Sequence, residues 1–297
     1  MENNVRYDLS MISNGIKGEE PDKLFTFVRK LSEQELELLH DAGKLLDELT
    51  ASSPYKQFQD RYRIFFEKIE EQNKKAAGGT FIPHELNEVY GKLDDLLSSM
   101  KGFEDRTKSL ISSRYGKGSS QMDLFKAALS YEFDNTFEYR FSYNLRNYSQ
   151  HKTSNIGEIK SVAKFVEGHP VADLEIILNG DKLLTAYSEW HPMVKVDLAD
   201  NKSDFALKPV VMKLKDSMFL IYCKYLLSQE NEILSAINNI KIIVGDYDTD
   251  KQVPTILKIH EGFTETGGEM SLISIKTNLI DTIEPLMRSA RHFVRGE

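Results

Sequence analysis

Apolar residues recur at three- and four-residue steps along most of this chain, the period of amphipathic helices, and change to two-residue alternation in only a few short stretches. Ser32 with Glu35 three residues on forms a capping-box pattern ahead of Leu36, Leu38, Leu39, Leu45, Leu46 and Leu49. Ser53-Pro54 then opens a second stretch through Tyr62, Phe65, Phe66 and Ile69, so the pair predicts a helical hairpin. The run AAGGTFIP at 76–83 reads as a linker. From His84 to about Arg114, Leu86, Val89, Leu93, Leu96, Leu97, Met100 and Phe103 predict another amphipathic helix, ended by Gly116-Lys-Gly-Ser-Ser. Phe125, Leu129, Phe133, Phe137, Phe141 and Leu145 follow in steps of four, which predicts one long packed helix from Met122 to Tyr148.

After Asn155-Ile-Gly157 the period changes. ADLEIIL and KLLTAY flank Asn179-Gly180-Asp181, which predicts a β-hairpin over 171–187 with a tight turn that needs positive φ. Helical spacing returns from Ala206 through Val210, Leu214, Met218, Ile221, Tyr222 and Tyr225, breaks at Ser228, and resumes from Glu230 towards Ile243. VPTILKI and MSLISIK read as short strands before a last helix from about Leu279 to Phe293. The first twenty residues show no sustained period and read as a mobile or loosely docked lead-in. The expected organisation is therefore mainly α: a lead-in over 1–20, a helical extension over 21–82, a helical core over 83–246 with the hairpin 171–187 inserted, and a mixed extension over 247–297.

Composition narrows the class. At 297 residues, with 40% hydrophobic and 28% charged residues, the chain can bury a substantial core and is unlike a disordered or fibrous protein. A net charge of −8 opposes broad adhesion to nucleic acid, so any RNA contact must be local. The single cysteine, Cys223, lies in the apolar run MFLIYCKYLL and reads as a buried structural thiol suited to a reducing cytosol. The start MENNVRYDLS lacks a basic segment followed by an apolar one, and Lys215, Asp216 and Lys224 interrupt the most apolar stretch, so neither secretion nor a membrane span is expected.

Candidate chemistry centres on YNLRNYSQHK, in which four residues separate Arg146 and His151. With eleven Arg and seven His in the chain, that spacing arises by chance in about one such sequence in four, so the surrounding residues must carry the argument. RNYSQH resembles the Arg-x(4–6)-His signature of the HEPN superfamily in its R-N-Y-x-Q-H form, including the polar residue directly after the arginine, and it closes an aromatic-rich helix as in that family. The resemblance is strongest over about 121–151. It implies a HEPN-type helical bundle, a homodimer, and metal-independent RNA cleavage by attack of the ribose 2′-hydroxyl on its own phosphate, leaving a cyclic phosphate and a 5′-hydroxyl. It implies His151 as general acid/base and Arg146 as electrostatic stabiliser, with Tyr143, Asn147, Tyr148, Gln150 and Lys152 as supporting or RNA-binding residues. The residue types suit those roles, since imidazole titrates near neutrality and the forked guanidinium matches phosphate.

On a helix turning about 100° per residue, Tyr143, Arg146 and Gln150 share one face, while Arg146 and His151 project about 140° apart. Two side chains so directed converge poorly on one phosphate, whereas two copies of the motif facing each other supply a composite site. Family members of this kind often act in toxin, abortive-infection or antiphage settings, which would place the protein in the cytoplasm with an antitoxin or regulatory partner. In one branch a Tyr two residues after the motif histidine is modified; that position here is Thr153. The plainer alternatives are an Arg and a His satisfying a helix C-terminus and its dipole, or a non-catalytic helical module that binds RNA or a protein partner. Other histidines offer less: His169, His191 and His260 lack metal-ligand spacing, no CxxC or HExxH is present, and neither a metal nor a cofactor is expected. Arg288, Arg291 and His292 form a basic last turn, and Glu132, Asp134 and Glu138 read as a solvated face.

Overall fold

The computed structural model describes residues 5–13, 25–80, 85–152, 156–166, 169–200, 203–247, 252–260 and 269–296. Its elements are β1 (Val5–Ser13), β2 (Phe25–Lys30), α1 (Glu33–Leu49), α2 (Pro54–Ala77), α3 (Leu86–Tyr115), α4 (Ser120–Asn135), α5 (Phe137–His151), β3 (Glu158–Val166), β4 (His169–Asn179), α6 (Gly180–Ala186), α7 (Pro192–Asp200), β5 (Asp204–Ala206), α8 (Leu207–Leu227), α9 (Glu230–Val244), β6 (Gln252–His260), β7 (Met270–Ser274) and α10 (Asn278–Arg295). The protein is mainly helical with two antiparallel sheets. It divides into two compact units at Ser53/Pro54, Ser228/Gln229 and Ser289/Ala290, which are not the boundaries at 82/83 and 246/247 suggested by the linker and the period change.

The first unit, Met1–Ser53 with Gln229–Ser289, contains a sheet in the order β2-β1-β6-β7 and the pair α1 and α9. The expected lead-in is corrected here: Val5–Ser13 is a strand whose whole length pairs with β6, Leu9 opposite Ile256 and Met11 opposite Pro254. Its partner is remote in sequence, so no local period announced it. Leu9 and Met11 are buried, which is what fixes the register. The capping box at α1 forms as the sequence suggests: Ser32 Oγ accepts from the Glu35 N–H at 3.2 Å and the Ser32 N–H donates to Glu35 Oε2 at 2.9 Å. Arg29 adds an ion pair to Glu35 at 2.7 Å and donates to the Ile243 carbonyl at 3.0 Å, tying β2 to the start of α1 and the end of α9.

The second unit, Pro54–Ser228 with Ala290–Glu297, holds α2 to α8 and a sheet in the order β3-β4-β5. Its core is aromatic. Phe58, Phe65, Phe103, Phe125, Phe141, Trp190 and Tyr222 are all essentially sealed from solvent, and each such ring contributes roughly 1.5–3 kcal/mol through burial. Tyr55 stacks on Tyr222 at 4.3 Å, Phe103 meets Phe125 edge-on at 5.8 Å, and Phe125 meets Tyr225 at 5.7 Å. Cys223 is buried beside them, and burial pushes its thiol up to about 12, so it behaves as an inert packing group.

Two expectations in this unit are overturned. The hairpin over 171–187 does not form: β4 pairs with β3, residues 158–166, and the chain enters α6 at Gly180. Asn-Gly is a turn signal, yet Asn is also a preferred N-cap, and here the Asn179 side chain accepts from the Lys182 N–H at 3.0 Å. The long helix from Met122 to Tyr148 is also two helices, because Thr136 adopts extended angles, φ −121° and ψ 109°, between α4 and α5. Asn135 and Thr136 redirect local hydrogen bonds, as such residues do: the Asn135 amide donates to the Tyr131 carbonyl at 2.8 Å, and the Thr136 hydroxyl to Glu132 Oε2 at 3.1 Å. The steps of four persist across the break because each half is amphipathic by itself.

Candidate functional site

Helix α5 carries YNLRNYSQH, and its placement begins at Arg140. This guanidinium binds both carboxylate oxygens of Asp197 on α7, at 2.6 and 2.7 Å, and reaches back to the Phe133 and Asp134 carbonyls at the end of α4. It therefore fills the orphan acceptors left by the break at Thr136 while fixing α5 to α7. One turn on, Asn144 donates to the Arg140 carbonyl at 2.8 Å and accepts the His191 N–H at 3.1 Å. The next turn is held by aromatic rings: Tyr148 stacks on Trp190, with centroids 5.5 Å apart and planes 11° apart, and meets Tyr187 edge-on at 5.6 Å.

A polar interior lies where α5 meets α3 and α4. Tyr139 is buried, and desolvation, reinforced by the negative charge of Glu104 and Glu132, drives its hydroxyl far above the ordinary tyrosine range. Glu132 is itself buried, at 3% exposure, and so is not part of a solvated face. Its carboxylate accepts from Thr136, the residue that ends α4, which makes it a structural anchor of the helix break. Asp134 is exposed and Glu138 half-buried. Lys101 of α3 sits 5.6 Å over the Tyr143 ring, whose edge also meets Phe133 of α4 at 6.1 Å.

Arg146 follows Tyr143 by one turn and is half-buried. Its Nη1 lies 3.4 Å from Asn147 Oδ1, a weak contact at that length, while its Nε is buried with no hydrogen-bond partner among the described residues. No carboxylate pairs with it among the described residues. The end of the motif is different: Gln150, His151 and Lys152 are exposed, and Lys152 closes α5 with its N–H on the Tyr148 carbonyl at 2.9 Å. The structure thus puts six of the seven candidate residues on the last three turns of one helix and Lys152 at its C-cap, with Tyr148 buried beneath, Tyr143 and Arg146 half-sunk, and the imidazole in solvent. Arg146 and His151 are held on separate faces, as the helical angle requires. Thr153 lies outside the described residues.

His191 is the residue that sequence spacing gave no reason to select. It is anchored to Asn144, its ring meets Phe133 edge-on at 5.0 Å, and its Nδ1 accepts the Met193 N–H at 3.3 Å. Six residues of helix separate Asn144 from His151, a rise of roughly 10 Å, so His191 flanks the motif face without joining its end. Among the described residues no group of three or more His, Cys, Asp or Glu is arranged to hold a metal ion, and no helix is long and apolar enough to cross a membrane. Comparison with protein-family models, with curated proteins and with solved structures returns no match.

Proposed function

We propose that this chain is a metal-independent endoribonuclease of HEPN type, acting as a homodimer in the cytoplasm in a toxin-like or abortive-infection role. The observation that supports it best is the buried Nε of Arg146 within RNYSQH, unpartnered among the described residues. Burying an N–H without a partner costs about 1–3 kcal/mol, a strain expected of a group reserved for a ligand rather than for the fold. An arginine that merely satisfied a helix end would have its donors on carbonyls or a carboxylate, as Arg140 does in the same helix.

In this reading the imidazole of His151 removes the proton from the ribose 2′-hydroxyl. The 2′-oxygen forms a bond to phosphorus, the bond from phosphorus to the 5′-oxygen breaks, and a protonated imidazole returns a proton to that leaving oxygen. Arg146 neutralises the charge that builds on the non-bridging oxygens. Because Arg146 and His151 diverge by about 140°, two copies of α5 facing each other would bring one protomer's guanidinium to its partner's imidazole. The test is incubation of the purified protein with RNA in the presence of a chelator, followed by analysis of the ends. Cyclic phosphate and 5′-hydroxyl termini, lost at least about 100-fold in Arg146→Ala and His151→Ala, are expected. RNA binding without cleavage would instead assign the chain to a non-catalytic module.

A further inference from the structure

A cavity of about 260 Å³ opens beside the motif, lined by Tyr148 of α5, Gly157 and Glu158 at the start of β3, Asn179, Lys182 of α6 and Asp204 of β5. Its size lies just below the range usual for whole small-molecule ligands, and suits a single heterocyclic base. Two of its polar groups are already used by the fold, since the Asn179 amide caps α6 and also donates to Asp204 at 2.9 Å. The others are uncommitted. The Tyr148 ring is buried between Trp190 and Tyr187, while its hydroxyl makes no hydrogen bond among the described residues and is not sealed from solvent. Lys182 is exposed and makes no ion pair there, acting on Asp204 only through space, and Glu158 likewise stands free. A phenol hydroxyl that the fold leaves unpaired at a cavity wall is open to a ligand edge.

We propose that this cavity is a nucleobase pocket that selects guanine next to the scissile phosphate. The proposal rests on the reading of this chain as acting on RNA. Tyr148 and Lys182 offer donors to a carbonyl oxygen and its neighbouring ring nitrogen, and Glu158 offers an acceptor to adjacent N–H groups. Guanine carries both sets on one base, whereas adenine lacks the carbonyl and cytosine lacks the ring N–H. Tyr148 stands one helical turn before His151, so a base held there keeps its own phosphate near the motif. Gly157 keeps the wall tight: a Cβ at this position would meet the Ile177 carbonyl oxygen at 2.5 Å and Leu178 at 2.8 Å.

Trp190, the only tryptophan, stacks on Tyr148 and donates its indole N–H to the Leu183 carbonyl at 3.0 Å. Its emission therefore reports on the cavity from behind. The full-length protein is titrated with guanosine, adenosine, cytidine and uridine 3′-monophosphates, followed by Trp190 emission and by equilibrium dialysis, which detects binding even when emission is silent. Saturable binding of the guanosine nucleotide at least tenfold tighter than the adenosine and cytidine ones is expected, weakened about five- to tenfold by Tyr148→Phe and more by Lys182→Met. Absence of binding, equal affinity for all four nucleotides, or full affinity in both Tyr148→Phe and Lys182→Met overturns the pocket. RNA cleavage assayed on the same preparations separates the two ideas: cleavage without base-selective binding removes the pocket alone, and base-selective binding without cleavage removes the nuclease alone.

Discussion

Arg140 and Asp197 meet through two hydrogen bonds, Nε to Oδ2 at 2.6 Å and Nη2 to Oδ1 at 2.7 Å, with side chains only 11% and 18% exposed. The pair joins α5 to α7, and the same guanidinium completes the end of α4. Asp197→Ala leaves that cation partly buried and should destabilise the protein by about 2–3 kcal/mol, read as a lower urea midpoint. Arg140→Lys should recover little of this, because a single ammonium cannot serve both carboxylate oxygens and two carbonyls. An unchanged midpoint in Asp197→Ala would show that α5 is positioned by its aromatic contacts alone.

Arg146 should behave in the opposite way. Its Nε is buried without a partner, so Arg146→Met removes a polar group that the fold leaves unsatisfied while keeping most of the apolar stem. Stability should stay within about 0.5 kcal/mol of wild type or rise, as activity falls at least 100-fold. Thermal unfolding and RNA cleavage measured on one preparation check the pairing, and a loss of more than about 2 kcal/mol would mark Arg146 as a structural residue.

Assembly gives a third expectation. If the working site combines two protomers, heterodimers carrying one His151→Ala chain should be nearly inactive, and excess mutant should poison the wild type. Differently tagged chains, co-expressed and isolated as the mixed species, allow cleavage per dimer to be measured. Full activity from a sample that is monomeric at assay concentration contradicts the composite site.

Acid should weaken the first unit through Glu35. Hydrogen bonding to Arg29, then to the Ser32 backbone, holds this carboxyl down at about 2. A group whose folded value is depressed stabilises above its unfolded value, near 4.5, and that contribution is lost as the pH falls towards 2. Allowing for solvent screening, about 1 kcal/mol should disappear across this window. Circular dichroism in urea at pH 5 and pH 2.5 should show a smaller pH-dependent drop for Glu35→Gln than for wild type, and equal drops would remove the Arg29 contact from the account.

Gly157 makes a steric prediction. Gly157→Ala should push β3 away from β4 and break the Tyr90 hydroxyl to Gly157 carbonyl bond of 3.0 Å, at a cost of about 1–3 kcal/mol. Chemical denaturation followed by Trp190 emission reads this directly, and wild-type stability would mean that the strand shifts freely.

The helices were legible wherever an apolar stripe and a cap agreed, as at Ser32 and Glu35 ahead of Leu39 and Leu46, or where α8 gives way to α9 after Ser228. What escaped reading depended on distant partners. β1 is a strand because Leu9 and Met11 meet Ile256 and Pro254, and β4 joins β3 rather than KLLTAY because Asn179 spends its side chain on capping α6. Glu132 looked like surface because nothing nearby in sequence shows that α3 and Tyr139 cover it. The segment RNYSQH could be picked out from residue types, whereas the Arg146 Nε left without a partner and the cavity under Tyr148 arise only from packing.

Helix α5 is clamped at one end and free at the other. Arg140, Asn144 and Tyr148 each hold a turn of it against α7 or the loop before it, whereas Ser149 bonds only back to the Arg146 carbonyl and Gln150, His151 and Lys152 stand in solvent. It acts as a cantilever: the anchored portion sets where the tip is carried, and no hydrogen bond or ion pair among the described residues orients the side chains of Gln150, His151 and Lys152. The fold therefore leaves the orientation of the His151 ring open, and in the proposed dimer the entropy of fixing it would be lost on docking rather than on folding. A chain built in this way can be made and stored fully folded with its imidazole unaligned.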